Sequence, residues 1–177
     1  MKKGYDLILR IIIAFLIPYS LLRIIITPIT LYISYFILKI FTETTLTLPF
    51  LIINQIPIEF IPACAAISAY YLLMLLVLLT KDIKLLTRIK MFFLGSLMIL
   101  IINTIRIIAL SLILVYYGNN LFESVHMFFW GLIGSLFVAL IWIFLVKRYK
   151  IKTIPIYSDL KYLFEQTKIY KPPKIRK

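Results

Sequence analysis

The chain has 177 residues, 63% of them hydrophobic, and a formal net charge of +13 at pH 7. Since soluble domains average about 45–50% hydrophobic residues, this composition excludes an ordinary soluble protein and indicates a polytopic membrane protein. The single cysteine excludes an intramolecular disulfide, and a Cys₄ zinc site or iron–sulfur cluster held by this chain alone. Ten of the 20 Lys and Arg residues lie from Lys147 onward, beside an apolar segment, which favours anionic lipid head groups over nucleic acid as their partner.

The N-terminal part is predicted to contain one membrane span. Residues 7–41 are apolar but interrupted by Pro18, Arg23 and Pro28. About 20 residues cross a bilayer core, so this stretch is too long for one straight span and too short for two. We predict an interfacial or kinked segment up to about Arg23, then one span to about Phe41.

The next segment, residues 42–63, is predicted to be extended. It contains β-prone stretches, and Pro49, Pro57 and Pro62 exclude a continuous helix. A short extended segment or β-hairpin lying on the membrane surface fits this pattern.

Three further spans are predicted, at about Cys64–Leu79, Phe92–Tyr117 and His126–Val146. A basic linker at 81–90 separates the first two, and a polar turn at 118–124 separates the last two. The predicted fold is therefore an all-α polytopic membrane protein with about four transmembrane helices, an N-terminal interfacial or kinked segment and a short extended or β-hairpin lead-in before the cysteine helix.

Charge predicts the orientation of these spans. The N-terminus through Arg10 has three Lys or Arg residues, the 81–90 linker has four and the C-terminal tail has ten, whereas residues 42–63 and 118–125 have none. The positive-inside rule then places both termini in the cytoplasm of a multi-pass plasma-membrane protein.

The only cysteine, Cys64, is the first candidate site residue. Because Pro62 suits the first turn of a helix, we expect Cys64 in that turn, where unpaired N–H groups and the helix dipole favour a thiolate. The alternative is an inert packing residue, which is the common state of a lone cysteine in an apolar run.

Two more candidates, Arg106 and the only histidine, His126, are predicted to share the extracytoplasmic side with Cys64. Arg106 lies inside the third span, about 15 Å below its outer end at 1.5 Å per residue, and its guanidinium can extend outward. Asn103 lies on the same helix face and can orient it. Each has an ordinary alternative: a structural arginine, an interhelical hydrogen bond and an interfacial histidine.

A thiol, an imidazole and a guanidinium in one pocket are the groups that acyl transfer through a thioester requires. The cysteine is the nucleophile, the histidine moves the proton and the arginine stabilises the oxyanion. Glu59 and Ser68 are supporting candidates. Glu59 can orient the histidine or can equally be a solvated surface carboxylate, and Ser68 is a small neighbour of the thiol. One Cys and one His are too few ligands for a metal or haem, so no cofactor is expected.

At these residues the sequence resembles the exosortase/archaeosortase family of membrane cysteine transpeptidases, over roughly residues 52–146. The resemblance rests on Pro62-Ala63-Cys64-Ala65-Ala66-Ile67-Ser68-Ala69, on Asn103-Thr104-Ile105-Arg106-Ile107 in the next span, and on His126 opening the last. Many relatives have Ser-Gly after the cysteine, where this chain has Ala65-Ala66. The context is more similar to the archaeal branch than to the bacterial one.

The resemblance implies an enzyme that removes the C-terminal transmembrane sorting signal of secreted surface proteins and transfers them to a lipid anchor. It implies Cys64 as nucleophile, His126 as acid/base and Arg106 as the stabilising charge. Residues 1–146 are then a single transmembrane catalytic domain with its core at 52–146, and residues 147–177 a basic cytoplasmic tail. The expected partners are such secreted proteins and a membrane lipid acceptor, and not nucleic acid.

Two other functions compete with this interpretation. In a non-enzymatic transporter subunit or assembly factor, Arg106 would be a structural or binding charge and Cys64 would be dispensable. In an enzyme acting on lipids, the outer pocket would hold a head group and no protein would become attached to Cys64.

Overall fold

The computed structural model describes residues 19–80, 83–129 and 134–151, and these are mostly helical. They form five helices and a three-stranded sheet: α1 Tyr19–Phe41, β1 Thr44–Thr47, β2 Phe50–Ile53, β3 Ile56–Glu59, α2 Ile67–Leu79, α3 Leu85–Tyr117, α4 Asn119–Phe128 and α5 Gly134–Arg148. The predicted N-terminal segment before residue 19 and the cytoplasmic tail beyond residue 151 lie outside the described residues.

Two helices, α1 and α3, are long and apolar enough to cross a membrane. α3 has 33 residues, about 50 Å of helix. α2 is apolar but has 13 residues, about 20 Å, which is shorter than the roughly 30 Å hydrocarbon core. α5 has 15 residues. By length and composition, the described residues therefore support two of the four predicted spans.

Helix α1 runs without interruption through Arg23 and Pro28. The predicted boundary at about Arg23 therefore falls inside a helix that is continuous from Tyr19 to Phe41. In an apolar environment a backbone that leaves the helix has no water to bond with, so a helix commonly continues through a proline. Thr30, two residues after Pro28, donates its hydroxyl to the carbonyl of Ile26 at 2.9 Å.

The segment between α1 and α2 is extended, as predicted, but it forms three strands rather than one hairpin. The strands pair antiparallel in the order β1-β2-β3. Asn54 and Gln55 connect β2 to β3 with φ of 46° and 70°, the left-handed pair that a two-residue type I′ turn requires. One face is buried: Leu51 and Ile53 pack with Leu38 of α1, and part-buried Ile108 and Val115 of α3 join them.

The start of α2 differs from the prediction because Ala66 has a left-handed backbone, with φ 53° and ψ 40°. That conformation cannot continue a right-handed helix. The helix therefore begins at Ile67, and Cys64 lies three residues before it, in a turn spanning residues 62–66.

The start of α3 also differs, because residues 85–90 of the predicted basic linker are helical. The reason is Arg88, which is only 7% exposed. Its guanidinium donates to the carbonyls that end α2 and connect it to α3, those of Val77, Leu78, Thr80 and Ile83. These carbonyls have no partner within their own helix, so a side chain that satisfies them fixes the end of α2 against α3.

The predicted polar turn at 118–124 is mostly helix, since α4 begins at Asn119. Gly118, with φ 82°, separates α4 from α3. Asn119 donates to the carboxylate of Glu123 at 2.9 Å, a bond between positions i and i+4 that stabilises the helix. His126 therefore lies in the last turn of α4, seven residues after that helix begins.

Helices α2, α3 and α5 meet at Gly95. A Cβ atom on this residue would lie 2.6 Å from a methyl carbon of Leu73 in α2 and 2.9 Å from one of Leu145 in α5. A Cβ atom here would require the side chains of Leu73 and Leu145 to shift. The contact holds the three helices together about 16 Å along α3 from Arg106.

Candidate functional site beside Cys64

The turn that carries Cys64 connects the end of the sheet to α2. The N–H groups of Cys64, Ala65 and Ala66 donate to the carbonyls three residues earlier, at 2.9, 3.2 and 3.1 Å. Cys64 is a free, partly buried thiol that packs against the main hydrophobic core.

Two side chains of α3 hold this turn from the neighbouring helix. The amide nitrogen of Asn103 donates to the carbonyl oxygen of Cys64 at 2.9 Å, and a terminal nitrogen of Arg106 donates to the same oxygen at 3.2 Å. Asn103 is 4% exposed. The two residues are three positions apart on α3 and so share one helix face. The structure therefore brings together three of the predicted site residues, through the backbone of Cys64 rather than its sulfur.

The pKa of the Cys64 thiol shifts in the direction opposite to the one that a first helical turn predicts. Burial raises the pKa of Cys64 above its ordinary value, and the charge of Glu59 acts in the same direction. The positive charge of Arg106 lowers the pKa but does not cancel the effect of burial. Cys64 therefore lies partly buried in the turn before α2, beside one cation, rather than in the first turn of the helix.

A cavity of about 320 Å³ lies next to this turn. Helices α2, α3 and α5 form its walls, with Phe129 directly after α4. Its polar lining consists of Asn103 and Arg106, and the remaining lining is apolar: Ala66, Ala69, Ile99, Ile102, Ile105, Ala109, Phe129, Phe137, Val138 and Ile141. The cavity therefore combines an apolar interior with one guanidinium.

His126 occupies a different position from the other candidates. Its ring stacks on Phe122 within α4, with centroids 5.3 Å apart. Among the described residues no hydrogen bond joins it to Cys64 or Arg106. It precedes the cavity-lining Phe129 by three residues, about one helical turn.

The two supporting candidates are both exposed. Glu59 is the last residue of β3 and pairs in register with Phe50 of β2. It is close enough to Cys64 for its charge to act on the thiol. Ser68 lies in the first turn of α2, and its hydroxyl makes no hydrogen bond within the described part of the chain.

Sequence reasoning missed most of the cavity lining. Phe137 and Ile141 are four residues apart on α5, and this spacing could have indicated a shared helix face, but α5 is apolar on all sides. Thr104 was also missed: its buried hydroxyl, next to Asn103, has no partner among the described residues. In the described part of the chain, no cluster of three or more His, Cys, Asp or Glu side chains could hold a metal ion.

No protein-family model, curated protein or solved structure matches this chain. The fold and the site define a mostly helical protein with two candidate membrane-spanning helices, a small antiparallel sheet and a cavity beside its only cysteine.

Proposed function

We propose that the protein is a membrane-embedded cysteine peptidase and transpeptidase that removes the C-terminal sorting signal of secreted surface proteins and transfers them to a lipid. The single observation that carries the proposal is the convergence of Asn103 and Arg106 on the carbonyl of Cys64. These residues are 39 and 42 positions from the cysteine in sequence. The proposal is consistent with the resemblance to exosortases and archaeosortases at the same residues.

The proposed topology has four spans, with both termini and the 81–90 segment cytoplasmic and Cys64 on the extracytoplasmic side. The turn at 62–66 and the sheet then lie outside the hydrocarbon core, on the extracytoplasmic side. Because the chain has one cysteine, labelling with a membrane-impermeant maleimide tests this directly. Intact cells should label at Cys64, or at a cysteine placed at Asn120 in a Cys64→Ala background, but not at one placed at Lys84.

The proposed reaction has two balanced steps. His126 takes the proton of the Cys64 thiol, the sulfur attacks the scissile carbonyl and forms a C–S bond, the C–N bond breaks, and His126 passes the proton to the leaving amine. An acceptor amine then attacks the thioester, a C–N bond forms as the C–S bond breaks, and the proton of the amine passes through His126 to the released sulfur. Arg106 supplies positive charge for the oxyanion in both steps, and the apolar cavity limits competing hydrolysis by water.

His126 must approach the thiol for this chemistry. It lies one turn from Phe129, which already lines the cavity. Catalytic hydrogen bonds are often long in an enzyme without substrate and shorten when substrate binds. A shift of α4 toward the cavity on substrate binding is therefore part of the proposal.

The decisive experiment traps the covalent intermediate. The protein is co-expressed with a secreted reporter whose tail combines a Pro-containing motif, a transmembrane helix and basic residues. Mass spectrometry of the purified protein should find an adduct on Cys64 that hydroxylamine removes. Cys64→Ala should insert into the membrane normally and abolish processing. Full processing by Cys64→Ala would overturn the proposal.

A second function is favoured by one observation: the described hydrogen bond of Arg106 goes to a backbone carbonyl. A purely structural arginine would do the same in a transporter subunit or assembly factor. In that case Arg106→Gln would impair the protein while Cys64→Ala would be silent, so the pair of variants separates the two functions.

A further inference from the structure

Strand β3 is an edge of the sheet, because the described strands pair in the order β1-β2-β3. In an antiparallel pair, the backbone groups of successive residues point alternately toward the partner strand and away from it. The N–H of Phe60 donates to the carbonyl of Pro49 at 3.0 Å and so continues the ladder with β2 beyond the end of the strand. Counting back from Phe60, the backbone groups of Ile58 also face β2, whereas those of Pro57 and Glu59 face the open side.

The open edge of β3 presents three backbone hydrogen-bonding groups. These are the carbonyls of Pro57 and Glu59 and the N–H of Glu59, since proline has no N–H. None of the three has a hydrogen-bond partner among the described residues, and both side chains are exposed. Unpaired N–H and C=O groups on an edge strand are a template for pairing with another extended segment. Whichever direction that segment runs, these groups can form three hydrogen bonds with it.

The end of this edge that has a hydrogen-bond donor is the end nearer to Cys64. In the register of the sheet, Ile56 of β3 lies beside Ile53, which pairs with Thr44 next to the end of α1, and Glu59 lies at the opposite end. Glu59 precedes Cys64 by five residues, which span at most about 17 Å when fully extended. In the proposed topology, a segment paired with this edge lies outside the hydrocarbon core and leads directly to the Cys64 turn.

The small number of available groups restricts what can pair with the edge. Proline on an edge strand prevents extended pairing with other chains, and Pro57 does so at the end farther from Cys64. Three hydrogen bonds are too few to hold two copies of the chain together, since stable protein interfaces bury about 1,200–2,000 Å². A substrate anchored in the same membrane needs only a weak contact, because anchoring raises its effective concentration. The edge therefore suits a short segment of a membrane-anchored substrate.

We propose that the edge of β3 at Glu59 binds the protein substrate, by pairing as a fourth strand with the extended segment that precedes the transmembrane helix of its sorting signal. The inference rests on the proposed function and deepens it, because it assigns a recognition surface on the sheet, outside the cavity. In this mode of recognition the main-chain hydrogen bonds supply the affinity. The surface therefore recognises an extended backbone with free N–H groups, whatever its side chains.

Disulfide scanning in intact membranes tests the pairing. Glu59→Cys is made in a Cys64→Ala background, so the protein has one cysteine and no nucleophile. The secreted reporter carries one cysteine, which is moved residue by residue through the segment before its transmembrane helix. Because the side chains of a strand alternate between two faces, cross-linking should peak at one position, fall about fivefold at its neighbours and recover two residues away. Thr45→Cys, exposed on the same face of the sheet but two strands away, is the control and should cross-link weakly at every position.

A second measurement isolates the backbone N–H of Glu59. Glu59→Pro removes this N–H together with the carboxylate, whereas Glu59→Ala removes the carboxylate alone, so the ratio between the two variants reports the N–H. An edge strand tolerates proline where its nitrogen faces solvent, so β3 should persist. Binding of the reporter is measured in maltoside detergent with both variants in the Cys64→Ala background. We expect Glu59→Pro protein to bind the reporter about threefold or more weakly than Glu59→Ala protein.

Three results would overturn the proposal. A cross-linking profile without alternation, or one that repeats every three or four residues as in a helix, would show that the segment is not a strand on β3. Equal binding of the reporter by the Glu59→Pro and Glu59→Ala proteins would remove the role of the N–H. Cross-linking of Glu59→Cys to a second copy of the chain, without reporter, would assign the edge to self-association. Trapping of the Cys64 adduct in unsubstituted protein judges the proposed function separately, so an adduct without alternation would reject the edge alone.

Discussion

Two arginines on α3, Arg88 and Arg106, contact opposite ends of α2 and differ in how completely their hydrogen bonds are satisfied. They are 18 residues apart, five helical turns or about 27 Å, and so face the same side of α3. Arg88 donates to four carbonyls at the end of α2 and in its connection to α3. Arg106 donates to one carbonyl before the start of α2 and leaves Nε without a partner among the described residues.

This difference indicates that Arg88 has a structural role, whereas Arg106 can bind a ligand. A guanidinium whose donors are used by the protein has little capacity for a ligand, and its loss leaves several carbonyls without partners. A guanidinium with an unused donor beside a cavity can bind a substrate oxygen at no cost to the fold. We therefore expect Arg88 to stabilise the fold and Arg106, on the same face of α3, to act on a ligand.

The largest expected effect is the destabilisation caused by Arg88→Ala. Removing Arg88 leaves buried carbonyl oxygens without a hydrogen-bond donor, which costs about 1–3 kcal/mol for each such group, and here these acceptors end a helix in an apolar environment. The free energy of unfolding, measured by titration with sodium dodecyl sulfate in mixed micelles, should fall by about this amount. Lys90→Ala, which removes an exposed charge two residues later, is the control and should change it little. Equal stability of the two variants would mean that Arg88 does not hold α2 to α3.

Arg106→Gln should show the opposite pattern. We expect a loss of stability below about 1.5 kcal/mol, since one hydrogen bond is lost and Asn103 still donates to the same carbonyl. Processing of the secreted reporter should fall about 10²–10³-fold, which is the usual cost of removing one oxyanion donor. Processing rate and unfolding free energy are measured on the same preparation. A large loss of stability with a proportionate loss of activity would make Arg106 a structural residue like Arg88.

The sequence predicted the surroundings of Arg106 better than those of Arg88. The sidedness of the predicted spans indicated that Cys64 and Arg106 face a common pocket, and the spacing placed Asn103 on the face of Arg106. Arg88 was assigned to a basic linker because the sequence does not reveal that its charge would be satisfied by the carbonyls of a preceding helix.

The turn at Cys64 and helix α4 could not be predicted because the local sequence does not indicate either structure. The left-handed residue that ends the turn is Ala66, and alanine carries no signal for that conformation, unlike glycine. In α4, Gly118-Asn119-Asn120 is typical of a turn, but the bond from Asn119 to Glu123 stabilises a helix. The function and roles of the site residues, including that of His126, stay predictions.

A moderate effect is expected for Asn103→Ala, which tests whether this residue positions the turn. The variant removes the shorter of the two bonds to the Cys64 carbonyl. We expect processing to fall about tenfold, equivalent to about 1.4 kcal/mol, while the rate of Cys64 alkylation by iodoacetamide rises because the turn is less constrained. Asn103→Gln, which retains the amide, should partly restore processing. A fall in processing with unchanged alkylation would exclude a positioning role.

The smallest expected effect is a shift in the pH dependence of Cys64 alkylation. Because burial raises the pKa of the thiol, the reactive thiolate should appear only above its ordinary titration range, and the rate should still be rising at pH 9. Since the charge of Arg106 lowers the pKa, Arg106→Gln should move the profile further toward alkaline pH, and Glu59→Gln should move it slightly toward neutral pH. Lys90→Gln, which removes an exposed charge near the other end of α3, is the control and should leave the profile where it is. Identical profiles for wild-type and Arg106→Gln protein would show that the charge does not act on the sulfur, and would leave the hydrogen bond to the backbone carbonyl as the whole of the contact between the two residues.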